Sequence, residues 1–419
     1  MPTPLFKPIS CNVEWLISNI DHGNLGLPDI QRPFVWNNTQ VRDLFDSMSG
    51  GQKLNQSDFI LTLMSVFWDE GRSALETFCK DSRVPSDNEV TPYNYFIKPE
   101  PSDMLRVVIG LAFKRARLKY GYQVLRGKDL GTGEVTTSLR ETHFATFKAA
   151  QAKTLNIQNW KDFIRCLYSA GFRSEKMITS HTGLMYAYTF YLVGKYDYAL
   201  SGDVLRMAIA RWFFMTSLTA RYSSSPESKM EEDLADLRGI KSGKDFLVHL
   251  DRVIKNTLTD DFWNITLPND LTSAAARSPY LFAYYAALVL QDARVLFSEL
   301  KVSDMLDQAM RGQREALERH HLFPKAYLKR IGISEDRDRN QIANYALVEW
   351  DRNATISDDS PAEYFPIQLA GQADNPALRD GLRLHALPEG WEHMNYKEFL
   401  EKRRNLMAQV TRDGFAKLS

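Results

Sequence analysis

Apolar residues recur at three- and four-residue spacing from Leu54 to about Leu300, and that period dictates helices. Phe59, Ile60, Leu63, Met64 and Phe67 make one face, with Asn55 or Ser57 available as a cap. Leu105, Val108, Ile109 and Ala112 make another after Pro101-Ser102-Asp103. Trp160, Phe163, Ile164 and Leu167, then Met185 to Leu192, then Leu205 to Leu218 continue the pattern, the last of these as core. Ser225 caps a further helix with Pro226 at its first position, and Tyr280 to Phe297 is strongly apolar throughout. Asp304 to Leu317 follows, and Tyr396 to Phe415 closes the chain as an amphipathic helix with Phe399, Leu400, Arg403, Leu406, Met407 and Val410 in its pattern. A chain so patterned packs as a mainly α, α+β protein, a bundle of helices with little sheet. At 419 residues, 44% hydrophobic and 12% aromatic, it has material for two or three real cores.

Charge and cysteine usage narrow the class. The chain carries 52 basic and 52 acidic residues, so no overall basic excess advertises a polyanionic partner, and such a surface has to come from local clustering. Lys114-Arg115-Ala116-Arg117-Leu118-Lys119 reads as a solvated helix end, with contact to a phosphate backbone as the minority reading. Gly121 to Thr137 reads as a loop. Glu231, Glu232, Asp233 and Asp236 read as a solvated acidic face, since no histidine stands near them. Cys11, Cys79 and Cys166 are few and scattered, which fits a reducing cytoplasm rather than a disulfide framework. The opening Met1-Pro2-Thr3-Pro4 gives no expectation of a signal peptide, and no apolar run reaches the ~20 residues of a membrane span.

One stretch is built for chemistry. It begins Arg319-His320-His321-Leu322-Phe323-Pro324 and runs on through Asn344-Tyr345-Ala346-Leu347-Val348 to Asn353. Adjacent histidines on an extended segment point to opposite sides, so one imidazole can hold a metal while the other faces a different atom of the substrate. The two asparagines lie 9 positions apart with a strand-like run between them, which reads as a strand followed by a helix start that returns Asn353 towards the histidines. Without the asparagines and the proline, a histidine pair is simply a surface or core feature. Between Gly312 and Asn340, Arg314, Arg319, Lys325, Lys329, Arg330, Arg337 and Arg339 outnumber the acids, a modest excess where a phosphate backbone would arrive. His385 and His393, beside Pro388-Glu389-Gly390-Trp391, read as surface histidines, and Ser360-Pro361 starts a helix that packs behind the metal loop.

The pattern His320-His321-x-x-Pro324, Asn344-x-x-Leu347, Asn353 resembles the HNH nuclease motif, the ββα-metal finger. The resemblance implies hydrolysis of DNA phosphodiesters with a divalent ion, Mg2+ or Mn2+, leaving 5′-phosphate and 3′-hydroxyl ends. It makes His320 and Asn353 metal ligands, His321 the general base and Asn344 a brace for the loop that orients it. The chemistry agrees with those types: an anionic phosphodiester needs a positive charge against it and a base near neutral pH, and an imidazole of ordinary pKa about 6.5 serves. Two weak protein ligands leave room for water and phosphate oxygens, and the segment has no cysteine for structural zinc.

Near the N-terminus, Leu27-Pro28 through Gln31-Arg32-Pro33-Phe34-Val35-Trp36 to Asp46-Ser47-Met48 resembles the opening of the GmrSD-type modification-dependent restriction endonucleases, as does Arg221-Tyr222-Ser223-Ser224-Ser225-Pro226-Glu227 with Arg211-Trp212-Phe213-Phe214 in the helical region. In that family a ParB-like N-terminal domain binds and hydrolyses nucleotide and a C-terminal HNH domain cuts. The family's Asp-Gly-Gln-Gln-Arg motif and Phe-x-x-x-Asn segment are absent here, and Gly50-Gly51 stands at the seam. Gln31 and Arg32 are therefore expected to be remnants of a nucleotide site, with nucleotide hydrolysis in doubt. The expected organisation is a truncated ParB-like segment over 1–50, a helical domain over 51–300 and an HNH domain over 301–419. The expected role is restriction of foreign or modified phage DNA, with double-strand cleavage requiring a homodimer or two successive nicks. The alternative is a non-catalytic DNA- or partner-binding scaffold derived from such an enzyme.

Overall fold

The computed structural model describes residues 68–82, 94–129, 131–275, 277–307, 319–349, 358–370 and 378–419, with Trp15, Ser18, Ser57, Ile60, Leu61 and Met64 as isolated positions. The chain divides into two compact units, Met1–Asn55 and Gln56–Ser419. In the first, Trp15 and Ser18 are helical, while Gln31 and Arg32 lie outside the described residues, as do Cys11, Gly50 and Gly51.

The second unit is mainly helical with a two-stranded sheet. Its main helices are α1 (Asp69–Asp81), α2 (Pro101–Phe113), α3 (Leu118–Leu125), α4 (Thr137–Thr154), α5 (Ile157–Ser169), α6 (His181–Tyr196), α7 (Gly202–Leu218), α8 (Pro226–Asp236), α9 (Gly243–Thr257) and α10 (Pro279–Leu290). Then come β1 (Arg319–His321), α11 (Lys325–Arg330), β2 (Tyr345–Leu347), α12 (Pro361–Ala370), α13 (Leu378–Leu384) and α14 (Tyr396–Ala416). Side-chain caps set several starts, because the first amides of a helix lack partners. Thr136, Asn156, Ser180, Ser242 and Asn395 each accept from an amide of the first turn. Glu100 and Asp103 form a reciprocal box ahead of α2, which has Pro101 at its first position.

Helix α6 is buried from Gly183 to Gly194 and forms the centre on which α2, α5 and α7 pack. Aromatic rings fill the gaps: Trp160 meets Tyr188 edge-on at 5.0 Å, and Phe190 stacks on Trp212 at 4.8 Å. Helix α10 joins this core to α14 across the boundary expected at residue 300. The crossing is close at Gly414, where a Cβ would stand 2.5 Å from the Cβ of Ala287, so only glycine fits. No helix among the described residues is long and apolar enough to cross a membrane.

Four local readings change. Helix α2 stops at Phe113, with Lys114 in the left-handed region at φ 51°, and α3 then starts at Leu118 and runs through Gly121. The cation run is thus a link between helices, and the loop shrinks to 126–136, where Lys128 bridges Val135. The acidic helix α8 does not present a wholly solvated face. Glu231 takes Arg115 at 2.8 Å and accepts from the amide of Ala116 at 2.7 Å, while Asp233 is buried under Arg221 and Tyr222. The two charged runs satisfy each other across more than 100 residues of chain. Finally, α10 ends at Leu290, because Asp292 and Phe297 both take positive φ, at 52° and 61°.

Candidate active site

The histidine pair sits on β1, which runs antiparallel to β2 with His320 opposite Ala346 and His321 opposite Tyr345. The pleat sends neighbouring side chains to opposite faces. His320 is 5% exposed and meets the Tyr364 ring edge-on at 5.9 Å, while His321 is half-buried and packs at a tilt against the Tyr345 ring at 4.6 Å. The strand expected over Ala346-Leu347-Val348 is present one residue earlier, after a single 3-10 turn at Ile342–Asn344. Asn353 lies outside the described residues, so among them His320 is the one candidate metal ligand from the motif.

Asn344 is fully buried, and its amide is committed to backbone. Its Oδ1 accepts from the Phe323 amide at 2.8 Å, and its Nδ2 donates to the carbonyls of Phe323 at 3.0 Å and Arg339 at 3.1 Å. The Asn344 carbonyl in turn accepts from the Leu322 amide at 2.8 Å. The turn after the histidines is therefore pinned to the turn before β2. Behind it, Tyr364 of α12 donates its hydroxyl to the Leu322 carbonyl at 2.7 Å, and burial holds that phenol well above its usual pKa, so it stays a donor.

His321 contacts Asn340 through Nε2, at 3.1 Å from Oδ1. Its pKa is lowered from the ordinary 6.5 to about 4, chiefly by burial, with the Asn340 hydrogen bond opposing and Lys325, His320 and Arg339 adding to the depression. The imidazole is neutral over the physiological range, but it is a weaker base than an exposed histidine. A phosphate group beside it would act in the other direction, since an anion favours imidazolium. Lys325, Lys329 and Arg337 are exposed nearby and form no ion pair among the described residues, whereas Arg330 donates to the Asp358 carbonyl and Arg339 pairs with Asp336.

Three contributors have no signal in the linear pattern. Asn340 lies in a charged run, Asp336-Arg337-Asp338-Arg339, that reads as surface, yet its side chain reaches the ring of His321. Tyr364 lies on the helix expected behind the metal loop, but nothing in the pattern assigns its hydroxyl to the Leu322 carbonyl. Arg403 reads as part of an amphipathic face, but it is fully buried and donates to the Ala343 carbonyl at 2.7 Å and twice to that of His385, at 3.3 and 3.1 Å. It holds the residue next to Asn344 from behind. His385 itself is 1% exposed, with Nε2 donating to the Arg294 carbonyl at 2.8 Å, and is a core histidine rather than the surface one expected; His393 is exposed.

The donor chemistry of His320 is an imidazole, which suits Mn2+ or another borderline ion better than Mg2+, a cation that prefers oxygen. No group of three or more histidine, cysteine, aspartate or glutamate side chains gathers as a metal cluster among the described residues. No model of a known protein family matches the chain, and no curated protein matches it.

Proposed function

We propose that the chain is a divalent-metal-dependent endonuclease that hydrolyses DNA phosphodiesters with a ββα-metal, HNH-type site. The observation that carries this reading is the joint placement of β1, β2 and Asn344: two histidines on opposite faces of a short antiparallel pair, with the turn between them and α11 clamped by a buried asparagine. In this reading His321 accepts a proton from water, the resulting oxygen attacks phosphorus, and the P–O3′ bond breaks, the departing O3′ taking a proton from solvent to leave a 5′-phosphate and a 3′-hydroxyl. His320 and Asn353 would hold the ion, which when bound supplies positive charge against the pentacoordinate phosphate. Lys325, Lys329 and Arg337 would meet the incoming backbone. On the resemblance to GmrSD-type enzymes, the activity would serve restriction of foreign or modified DNA, and Gln31 and Arg32 would be remnants of a ParB-like nucleotide site.

The test is nicking of supercoiled plasmid with Mg2+, Mn2+ or EDTA by the parent, His321→Ala and Asn353→Ala. Metal-dependent nicking lost in both variants supports the assignment. Variants that cut as well as the parent remove His321 and Asn353 from the mechanism. A parent that retards DNA but never cuts it, with any metal or modification, favours the scaffold reading.

A further inference from the structure

We infer that Asn340 is the positioning residue of His321, fixing which imidazole nitrogen carries the proton and which faces the substrate; this rests on the nuclease reading above. The Asn340 Oδ1 receives two contacts, from His321 Nε2 at 3.1 Å and from the Tyr345 hydroxyl at 3.3 Å. A carbonyl oxygen only accepts, so His321 is the Nε2–H tautomer and its lone pair lies on Nδ1. The base is therefore Nδ1, and the proton taken from water goes there.

The same residues fix the ring's direction. Tyr345 stands opposite His321 in the strand register, and its ring lies 4.6 Å from the imidazole, so rotation about the Cβ–Cγ bond breaks the Asn340 bond and the ring contact together. Asn340 is itself held, since its amide donates to the Asp336 carbonyl at 2.9 Å, and the next turn is tied down by the Asn344 bond to Arg339. A base held in one tautomer and one orientation has no misdirected population to exclude before each turnover. In this arrangement Asn340 acts through His321, whose Nε2 its side-chain oxygen receives.

The experiment pairs a spectroscopic readout with a kinetic one. Protein labelled with 15N-histidine is examined by long-range 1H–15N correlation, with the His321 signals assigned by their loss in His321→Asn. Nicking is then followed at fixed pH for the parent, Asn340→Leu and Asn340→Asp. The expected result is a neutral His321 protonated at Nε2 in the parent, mixed tautomers in Asn340→Leu, and return of the Nε2–H form in Asn340→Asp, which keeps an acceptor. In nicking, Asn340→Leu should lose roughly tenfold to a hundredfold in kcat with KM unchanged, a part of the 10²–10⁴ that general bases supply, and Asn340→Asp should recover most of it. An Nδ1–H tautomer in the parent overturns the inference without any variant being needed. So does an Asn340→Leu protein that cuts like the parent. A parent that cuts nothing fails the nuclease reading instead, and the inference falls with it.

Discussion

Asn344 grips Phe323 from both sides, taking its amide at 2.8 Å and giving to its carbonyl at 3.0 Å, in a site closed to water. Few side chains can do this, because the task needs a donor and an acceptor on one planar group. Asn344→Ala leaves the buried amide and carbonyl of Phe323 short of partners, while the Arg339 carbonyl keeps the Tyr396 hydroxyl, and each buried loss costs about 1–3 kcal/mol. We expect a net fall of about 3 kcal/mol in unfolding free energy, read as a lower urea midpoint at unchanged m-value. Asn344→Asp should be no better, since it keeps the acceptor but gives up the donor and buries a charge. A variant within about 0.5 kcal/mol of the parent, the scatter of ordinary surface changes, would show that the turn stands without the clamp.

The guanidinium of Arg403 is buried with carbonyl oxygens for partners, and its geometry matters more than its charge. One fork reaches Ala343 before β2 and His385 after α13, so a single side chain ties α14 to both. Arg403→Lys keeps the charge but cannot span two directions at once, and one carbonyl must lose its donor. A loss of about 2 kcal/mol is expected, together with faster hydrogen exchange at residues 342–347. Exchange at those amides unchanged from the parent would sever the link between Arg403 and the candidate site.

What the linear pattern carried and what it did not follows from the range of the interactions. Helices such as α5 and α14 are legible because their apolar period is local, while their caps, Asn156 and Asn395, emerge from the structure. The β1–β2 element is legible because its strands bracket one short stretch of chain. Lys114 to Lys119 misled for the opposite reason. Cations beside apolar residues suit a helix end, and nothing within the run reveals that Glu231 lies against it in space. His385 misled because the turn at Pro388-Glu389-Gly390 suggests surface, while the adjoining Leu384, Ala386 and Leu387, all buried, outweigh it. Gln31, Arg32 and Asn353 fall outside the described residues.

Helix α8 offers a contrast between two neighbouring acids. Asp233 is 4% exposed and takes Arg221 through both oxygens, at 3.0 and 2.6 Å, with the Tyr222 hydroxyl at 2.7 Å. Glu232, one residue before it, is exposed and among the described residues pairs with Lys229 alone. Removing one member of a buried pair strands the other, so Asp233→Ala should cost about 3–5 kcal/mol. Glu232→Ala should change stability by less than about 0.5 kcal/mol. Equal effects of the two substitutions in denaturant unfolding would refute the distinction.

Acid should destabilise the fold through His385. Burial pushes its imidazole down to about 4, and the Arg403 guanidinium adds to the depression, while the Nε2–H bond to the Arg294 carbonyl partly opposes it. The unfolded chain binds the proton first, near pH 6.5, so it is the state that gains as pH falls. The stabilisation is complete above about pH 6.5 and is lost progressively down to about pH 4, where the folded imidazole also protonates. Over that window a single group removes about 3 kcal/mol, with about 2 kcal/mol gone by pH 5. His321 is depressed in the same direction, so the contribution has to be isolated by substitution. His385→Gln retains an amide donor for Arg294 but cannot titrate. Its unfolding free energy should therefore fall about 2 kcal/mol less than the parent's between pH 7 and pH 5. Parallel pH curves for the two proteins would mean that His385 does not carry the acid sensitivity.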